Sequence, residues 1–267
     1  MLGRSPAMQQ VFSMIRRLAP HAATILISGE TGTGKELAAR AFHQLGPRSS
    51  KPFLKNEVVE NARGATLFLD EVGDLPFPAQ GKLLRVLESD VSVIAATSRD
   101  LRAEIVAGRF RGDLFYRLTA VEVRLPPLRD RRDDIAFLAS AFTAECARRI
   151  RRPLNGLTPG AEQMLLGAAW GGNVRELKNA IERACMLAEG GSITERDIEA
   201  SLGPALATGQ TAQARASSAA LMSVERGHIV DVLRQVNGNR MAAAKILGIS
   251  RRALYRRLER HRIVDIS

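Results

Sequence analysis

Short runs of apolar residues, closed by glycine, proline or a pair of acids, alternate along the chain with stretches of helical apolar spacing. Residues 6–18 predict a short amphipathic helix. TILISG (24–29) reads as a buried strand that breaks at glycine. KELAARAFHQLG (35–46) has helical spacing and stops at Gly46-Pro47. VSVIAATS (91–98) is a further buried strand, and AVEVRLPPL (120–128) another, ended by a proline pair. Strands alternating with helices predict a parallel α/β sheet. After Arg129 the pattern becomes purely helical through about Leu202, with DIAFLASAFTAECARRI and NVRELKNAIERACMLAEGG as its clearest segments. Residues 203–220 are poor in large apolar side chains and read as a linker. A last helical unit covers about 221–264, and there are no internal repeats.

One stretch sits awkwardly in this pattern. FLKNEVVENARGATLFLDE (53–71) reads as strand, short polar link, strand. Parallel neighbours need a crossover of a dozen or more residues, usually a helix. Lys55 to Ala65 does not supply one. Either the two strands are not parallel neighbours, or residues are missing between them.

Candidate chemistry is concentrated before and after that stretch. GETGTGKE (29–36) follows a strand and opens a helix, the setting that makes a glycine pattern a phosphate loop. Its glycines let backbone N–H groups approach phosphate oxygens, and the helix N-terminus adds positive dipole character. Gly29, Glu30, Thr31, Gly32, Thr33, Gly34, Lys35 and Glu36 are the predicted nucleotide-binding residues, with Lys35 reaching the β- and γ-phosphates of ATP. Glu36 stands where Ser or Thr normally offers a hydroxyl to Mg²⁺. LFLDE (67–71) places Asp70 to hold Mg²⁺ and Glu71 to polarise the attacking water. A strand-end acid pair alone says little; the upstream loop gives it meaning.

Composition adds a partner. Of 267 residues 45% are hydrophobic and 25% charged, ordinary values for a globular chain long enough for two or three domains. The net charge is +11, and residues 204–267 carry eleven Lys/Arg against four Asp/Glu. That bias points to a polyanion. Two cysteines, Cys146 and Cys185, exclude a disulfide framework and are expected in the core. The histidines at 21, 43, 228 and 261 lack metal-ligand spacing. No signal region or apolar span is visible, so a cytoplasmic chain without a membrane partner is expected.

Taken as a set, GETGTGKE, GATLFLDEVGDLPFPAQGKLLRVLE, VIAATSRDL, FRGDLFYRL, LPPLRDRRDDI and WGGNVRELKNAIERA resemble the AAA+ ATPase domain of sigma-54-dependent transcription activators, the bacterial enhancer-binding proteins. The resemblance covers residues 1 to about 202 and includes a Glu after the loop lysine. It implies a P-loop AAA+ parallel sheet (1–127) with a helical lid (128–203), followed by the linker (204–220) and an all-α helix-turn-helix domain (221–267). It implies ATP and Mg²⁺ as cofactors, and sigma-54 RNA polymerase holoenzyme and enhancer DNA as partners. It also implies a hexamer or heptamer ring that is a dimer when inactive. Thr97 and Ser98 fall at the sensor I position, where the family usually has Asn in place of Ser98. Arg111 and Arg117 match the arginine fingers that reach a neighbouring subunit's nucleotide, and Arg175 the sensor II arginine of the lid.

Family members carry a long insertion before the Asp-Glu strand, with a Gly-Ala-Phe-Thr-Gly-Ala loop that contacts sigma-54. Lys35 to Asp70 spans only 35 positions here, without that loop. A second loop, after LLRVLE, is cut to about Ser89-Asp90. The chain is therefore a variant that lost its sigma-54 contact, an engineered one, or one written with residues omitted. Crossover geometry favours omission. It predicts a step longer than the roughly 3.8 Å Cα spacing of a trans peptide between Phe53 and Ala65, and a second near Glu88–Val91. The alternative is a DNA-binding AAA+ regulator that acts on another polymerase form or as a repressor.

Residues 228–263 read as three helices, the last two joined through Gly248-Ile249-Ser250. The segment resembles the Fis-type DNA-binding domain. Its third helix sets Leu254 and Leu258 on one face, leaving Arg251, Arg252, Tyr255 and Arg256 for double-stranded DNA.

Overall fold

The computed structural model describes residues 1–56, 64–87, 91–202 and 241. The chain divides into two compact units, Met1–Ala207 and Thr208–Ser267. All described residues but Met241 belong to the first. The predicted DNA-reading residues lie outside the described ones, as do residues 57–63 and 88–90 within the two intervals where chain steps are predicted.

Helix α1 (Pro6–Leu18) starts at Ser5, whose Oγ accepts from Met8 N at 3.3 Å, with proline in the first turn. Its apolar positions Met8, Val11 and Ile15 are buried. Strand β1 (Thr24–Ser28) follows, then α2 (Lys35–Leu45), β2 (Phe53–Lys55), β3 (Thr66–Leu69), α3 (Phe77–Val86), β4 (Ser92–Thr97), α4 (Leu101–Val106), α5 (Gly112–Leu118) and β5 (Glu122–Arg124). The strands form one parallel sheet in the order β2-β3-β4-β1-β5.

Alternate side chains of these strands feed two cores, which is why each strand reads as a continuous apolar run. Ile25, Ile27, Phe68, Ile94, Ala96 and Val123 face Met8, Ile15, Ala38 and Phe42 of α1 and α2. Leu26, Leu67, Leu69, Val93 and Ala95 face Leu83, Leu114, Phe115 and Leu118 of α3 and α5. The awkward stretch resolves in one respect: β2 and β3 are parallel neighbours, Phe53 opposite Thr66 and Lys55 opposite Phe68. Ten residues, 56–65, make the link between them.

The third core belongs to the helices α6 (Asp133–Ile150), α7 (Pro159–Gly167), α8 (Asn173–Leu187) and α9 (Glu195–Leu202). Trp170 is 1% exposed there and donates its indole N–H to Leu165 O at 2.7 Å. Cys146 and Cys185, distant in sequence, meet where α6 packs on α8. Burial pushes the Cys185 thiol up to about 12, with Cys146 beside it. A thiol so placed stays protonated and unreactive. No helix of the described residues is long and apolar enough to cross a membrane.

Candidate nucleotide site

Parallel pairing brings the C-terminal ends of β1, β3 and β4 to one edge of the sheet, where ligands bind in open α/β folds. A cleft of about 880 Å³ lies there, between the sheet and the lid. The loop from β1 to α2 lines it from Thr31 to Glu36, with Asp70, Glu71 and Ser98 across and Arg131 and Arg175 from the lid side.

Gly32 shows why this loop needs glycine. Its φ is +81°, and a Cβ there would lie 2.1 Å from Gly172 O. The lid backbone therefore rests on the loop, and Arg175 N donates to Gly32 O at 3.3 Å. Lys35, the first residue of α2, is buried at 6% exposure. Its Nζ donates to Gly29 O at 2.9 Å and pairs with Glu71 Oε1 at 3.0 Å.

Glu71 is held from three sides. Its backbone is left-handed, φ 54° and ψ 54°. Ser98 donates to its Oε2 through both N–H (2.7 Å) and Oγ (2.8 Å). Burial pushes the Glu71 carboxyl up, but the Ser98 and Lys35 contacts outweigh it and hold the group below its ordinary value. Ser98, where the family resemblance leads one to expect Asn, thus reaches the carboxylate through its single hydroxyl donor and its backbone N–H. Thr97 is buried just before it, its Oγ1 accepting from Arg99 N at 3.1 Å. Asp70 N donates to Asn56 Oδ1 at 2.9 Å, and Asp70 Oδ2 lies 3.7 Å from Lys55 Nζ. Glu36 binds Lys55 at 2.6 Å and Arg40 at 2.9 Å, and these cations lower its carboxyl.

Glu30 faces the lid instead. The Arg129 guanidinium binds it through two bonds, 2.8 and 2.6 Å, and lowers it to about 2. Asn173 Nδ2 adds a third at 3.1 Å. Arg111 and Arg117 are not among the residues lining this chain's cleft. Arg111 forms a paired contact with Asp113 at 3.0 and 2.8 Å.

Three contributors escaped the sequence reading. Asn173 is fully buried and left-handed (φ 55°). Its Nδ2 reaches Glu30 and Thr31 O, and its Oδ1 accepts from Leu128 N at 2.7 Å. The signal was the Gly171-Gly172 turn before an Asn, a residue that tolerates this backbone. Arg131, 3% exposed, donates to Thr33 O at 3.0 Å, while its Nε is buried without a partner. Gln80, fully buried, donates to Leu75 O and Arg109 O and accepts from Arg111 N.

Asn173 carries a prediction. Asn173→Gly keeps the backbone and loses the hydrogen bonds, which should destabilise by about 1–3 kcal/mol. Asn173→Ala should cost roughly 1–2 kcal/mol more, because alanine resists the left-handed conformation. Urea denaturation of the two variants checks the order; equal midpoints would refute it.

Comparison with known proteins decides the family. Residues 2–128 match the Sigma-54 interaction domain, 129–215 the AAA+ ATPase lid domain, and 220–261 the Fis family of bacterial regulatory proteins. The transcriptional regulatory protein ZraR of Escherichia coli is 39% identical over 305 residues, covering 97% of this chain and 68% of that one. The chain belongs to the sigma-54-dependent transcription activators. The response regulator PilR of Pseudomonas aeruginosa is 37% identical over 311 residues, covering 97% of this chain and 69% of PilR. NtrX from Brucella abortus, solved with ADP and with ATP, matches at TM-scores of 0.70 and 0.69 and 30% identity. Each match covers 98% of this chain, and 68% and 69% of NtrX. The fold is that of a AAA+ ATPase with its helical lid, and a Fis-type helix-turn-helix segment follows it. Each relative's aligned stretch exceeds the whole 267-residue chain, so it contains dozens of positions with no counterpart here.

Proposed function

We propose that this sigma-54-family ATPase hydrolyses ATP in the cleft and uses the cycle to remodel sigma-54 RNA polymerase holoenzyme, from DNA sites held by its C-terminal segment. The observation that carries this reading is Glu71, ionised and held by Lys35 and Ser98 beside the phosphate loop.

Each residue then has a task. Backbone N–H groups of residues 29–36 cradle the phosphates, and Lys35 exchanges Glu71 for the β- and γ-oxygens. Asp70 would hold Mg²⁺. The residues fit that ion, which takes hard oxygens and is usually held by one or two carboxylates together with substrate phosphates. Mg²⁺ when bound neutralises charge that develops on the phosphates. Glu71, released from Lys35, accepts a hydrogen bond from the attacking water and orients it. Ser98 keeps that carboxylate in register, Thr97 holds the strand end before it through Arg99, and Arg175 reports the nucleotide to the lid. Arg111 and Arg117 act on a neighbouring subunit's cleft in a hexamer or heptamer that is a dimer when inactive. In this reading residues 1–127 are the nucleotide-binding subdomain, 128–203 the lid, 204–220 the linker and 221–267 the DNA-binding domain of a cytoplasmic protein.

The test is ATP-dependent open-complex formation by purified sigma-54 holoenzyme on a promoter bearing the chain's binding site. Formation with ATP, and none without it, supports the reading. One observation favours a second reading: relatives carry dozens of positions that this chain lacks, and the family's sigma-54 loop motif is absent. A AAA+ regulator without that contact would hydrolyse ATP and bind DNA but leave sigma-54 holoenzyme closed, acting on another polymerase form or as a repressor.

Arg251, Arg252, Tyr255 and Arg256 are proposed to meet DNA. Each base-reading arginine should contribute about 1–3 kcal/mol of discrimination. Mobility shift on operator DNA with all four replaced should show binding lost; unchanged binding rejects the recognition-helix assignment.

A further inference from the structure

Lys55 occupies an unusual place. It ends β2, and its Nζ lies 2.6 Å from Glu36 Oε2 and 3.7 Å from Asp70 Oδ2. Glu36 is the residue after the loop lysine, and Asp70 the strand-end carboxylate that would hold Mg²⁺. An ammonium thus already sits behind Glu36 and Asp70, two acids that line the cleft, although Lys55 itself does not line it.

The placement is built in. Lys55 pairs with Phe68 in the sheet register, and its Nζ lies 5.9 Å from the Phe68 ring centroid. The next residue locks the strand end: Asn56 N donates to Phe68 O at 2.8 Å, and its Oδ1 accepts from Asp70 N at 2.9 Å. Asn56 is left-handed (φ 54°), which turns the chain away immediately after Lys55. Lys55 therefore cannot leave without unpairing β2, although its side chain can swing.

We propose that Lys55 is a counter-charge held beside Asp70, which takes over part of the charge neutralisation otherwise left to Mg²⁺. This rests on the phosphate-loop reading above. A cation within a few ångströms of Asp70 repels Mg²⁺ and attracts phosphate oxygens. Nucleotide binding by the native chain should accordingly depend little on Mg²⁺. Lys55→Met keeps the aliphatic stem over Phe68 and removes the charge; Lys55→Arg keeps the charge.

The experiment is titration of the native chain and its variants with a fluorescent ADP analogue, in excess Mg²⁺ and in EDTA. The readout is the dissociation constant in EDTA divided by that in Mg²⁺. Lys55→Met should raise that ratio on the order of tenfold, as expected for losing one unit charge a few ångströms from the ion. Lys55→Arg should restore the native ratio. A merely structural salt bridge would change both constants together and leave the ratio alone. An unchanged ratio in Lys55→Met, with native binding that Lys35→Ala abolishes, overturns the inference and spares the phosphate-loop reading. Binding that survives Lys35→Ala overturns both.

Discussion

Glu71→Ala should leave nucleotide binding intact and slow ATP turnover by about 10²–10⁴-fold, the usual contribution of a positioned base. Lys35→Ala should instead abolish binding, because Lys35 is the buried cation of the loop. The two phenotypes separate because the two residues share one ion pair at 3.0 Å but face different partners once nucleotide arrives. Removing Glu71 frees Lys35 for phosphate, so affinity for ATP should if anything rise. Removing Lys35 takes away the buried cation at the start of α2, the one that the loop itself supplies. In the nucleotide-free chain the Ser98 and Lys35 contacts keep the Glu71 carboxyl below its ordinary value, so it is ionised at neutral pH. Equilibrium binding of a fluorescent nucleotide, beside steady-state phosphate release, checks both halves. Full turnover by the Glu71 variant would remove it from the water-orienting role.

The parallel sheet and its phosphate edge were legible because their signals are local. Apolar strand runs ending in Gly29, Asp70 and Thr97 mark three adjacent strand ends, and parallel pairing alone then assembles the site. Helices α3 to α5 were not named as elements: two are six and seven residues long, too short for a clear period. β5 was expected as a longer strand and pairs over three residues, because Pro126 and Pro127 have no N–H to donate. The parallel neighbourhood of β2 and β3 ran against the expected crossover length. The lid contacts were illegible for another reason. Arg129 and Arg131 looked like any basic run, yet one lowers Glu30 and the other is buried against Thr33. Asn173 had only the Gly171-Gly172 turn to mark it, and its contacts with Glu30 and Leu128 follow from the left-handed backbone. Lys55 carried no signal at all, since its role comes from register with Phe68 rather than from neighbours in sequence.

Arg111→Ala should cut turnover by roughly 10³–10⁵-fold, the range of an arginine finger, while nucleotide affinity stays near native. The local geometry suits a group presented outward. Arg111 precedes α5, its backbone N–H is fixed by buried Gln80, and its side chain is 37% exposed. Asp113 holds the guanidinium in reserve, and that pairing lowers Asp113 to about 2. Both groups are solvent-accessible, so the pair is easily exchanged for a phosphate oxygen. Arg111 does not line its own cleft, so the proposed contact with nucleotide is expected across a subunit boundary. An Arg111→Ala subunit still offers an intact cleft, and a Lys35→Ala subunit still offers an intact finger. Mixing the two inactive variants should therefore regenerate activity wherever a Lys35 variant's finger enters an Arg111 variant's site. Phosphate release measured across mixing ratios should pass through a maximum at intermediate composition. A mixture that never exceeds either parent would place Arg111 outside the catalytic contact and reduce its pairing with Asp113 to a surface feature.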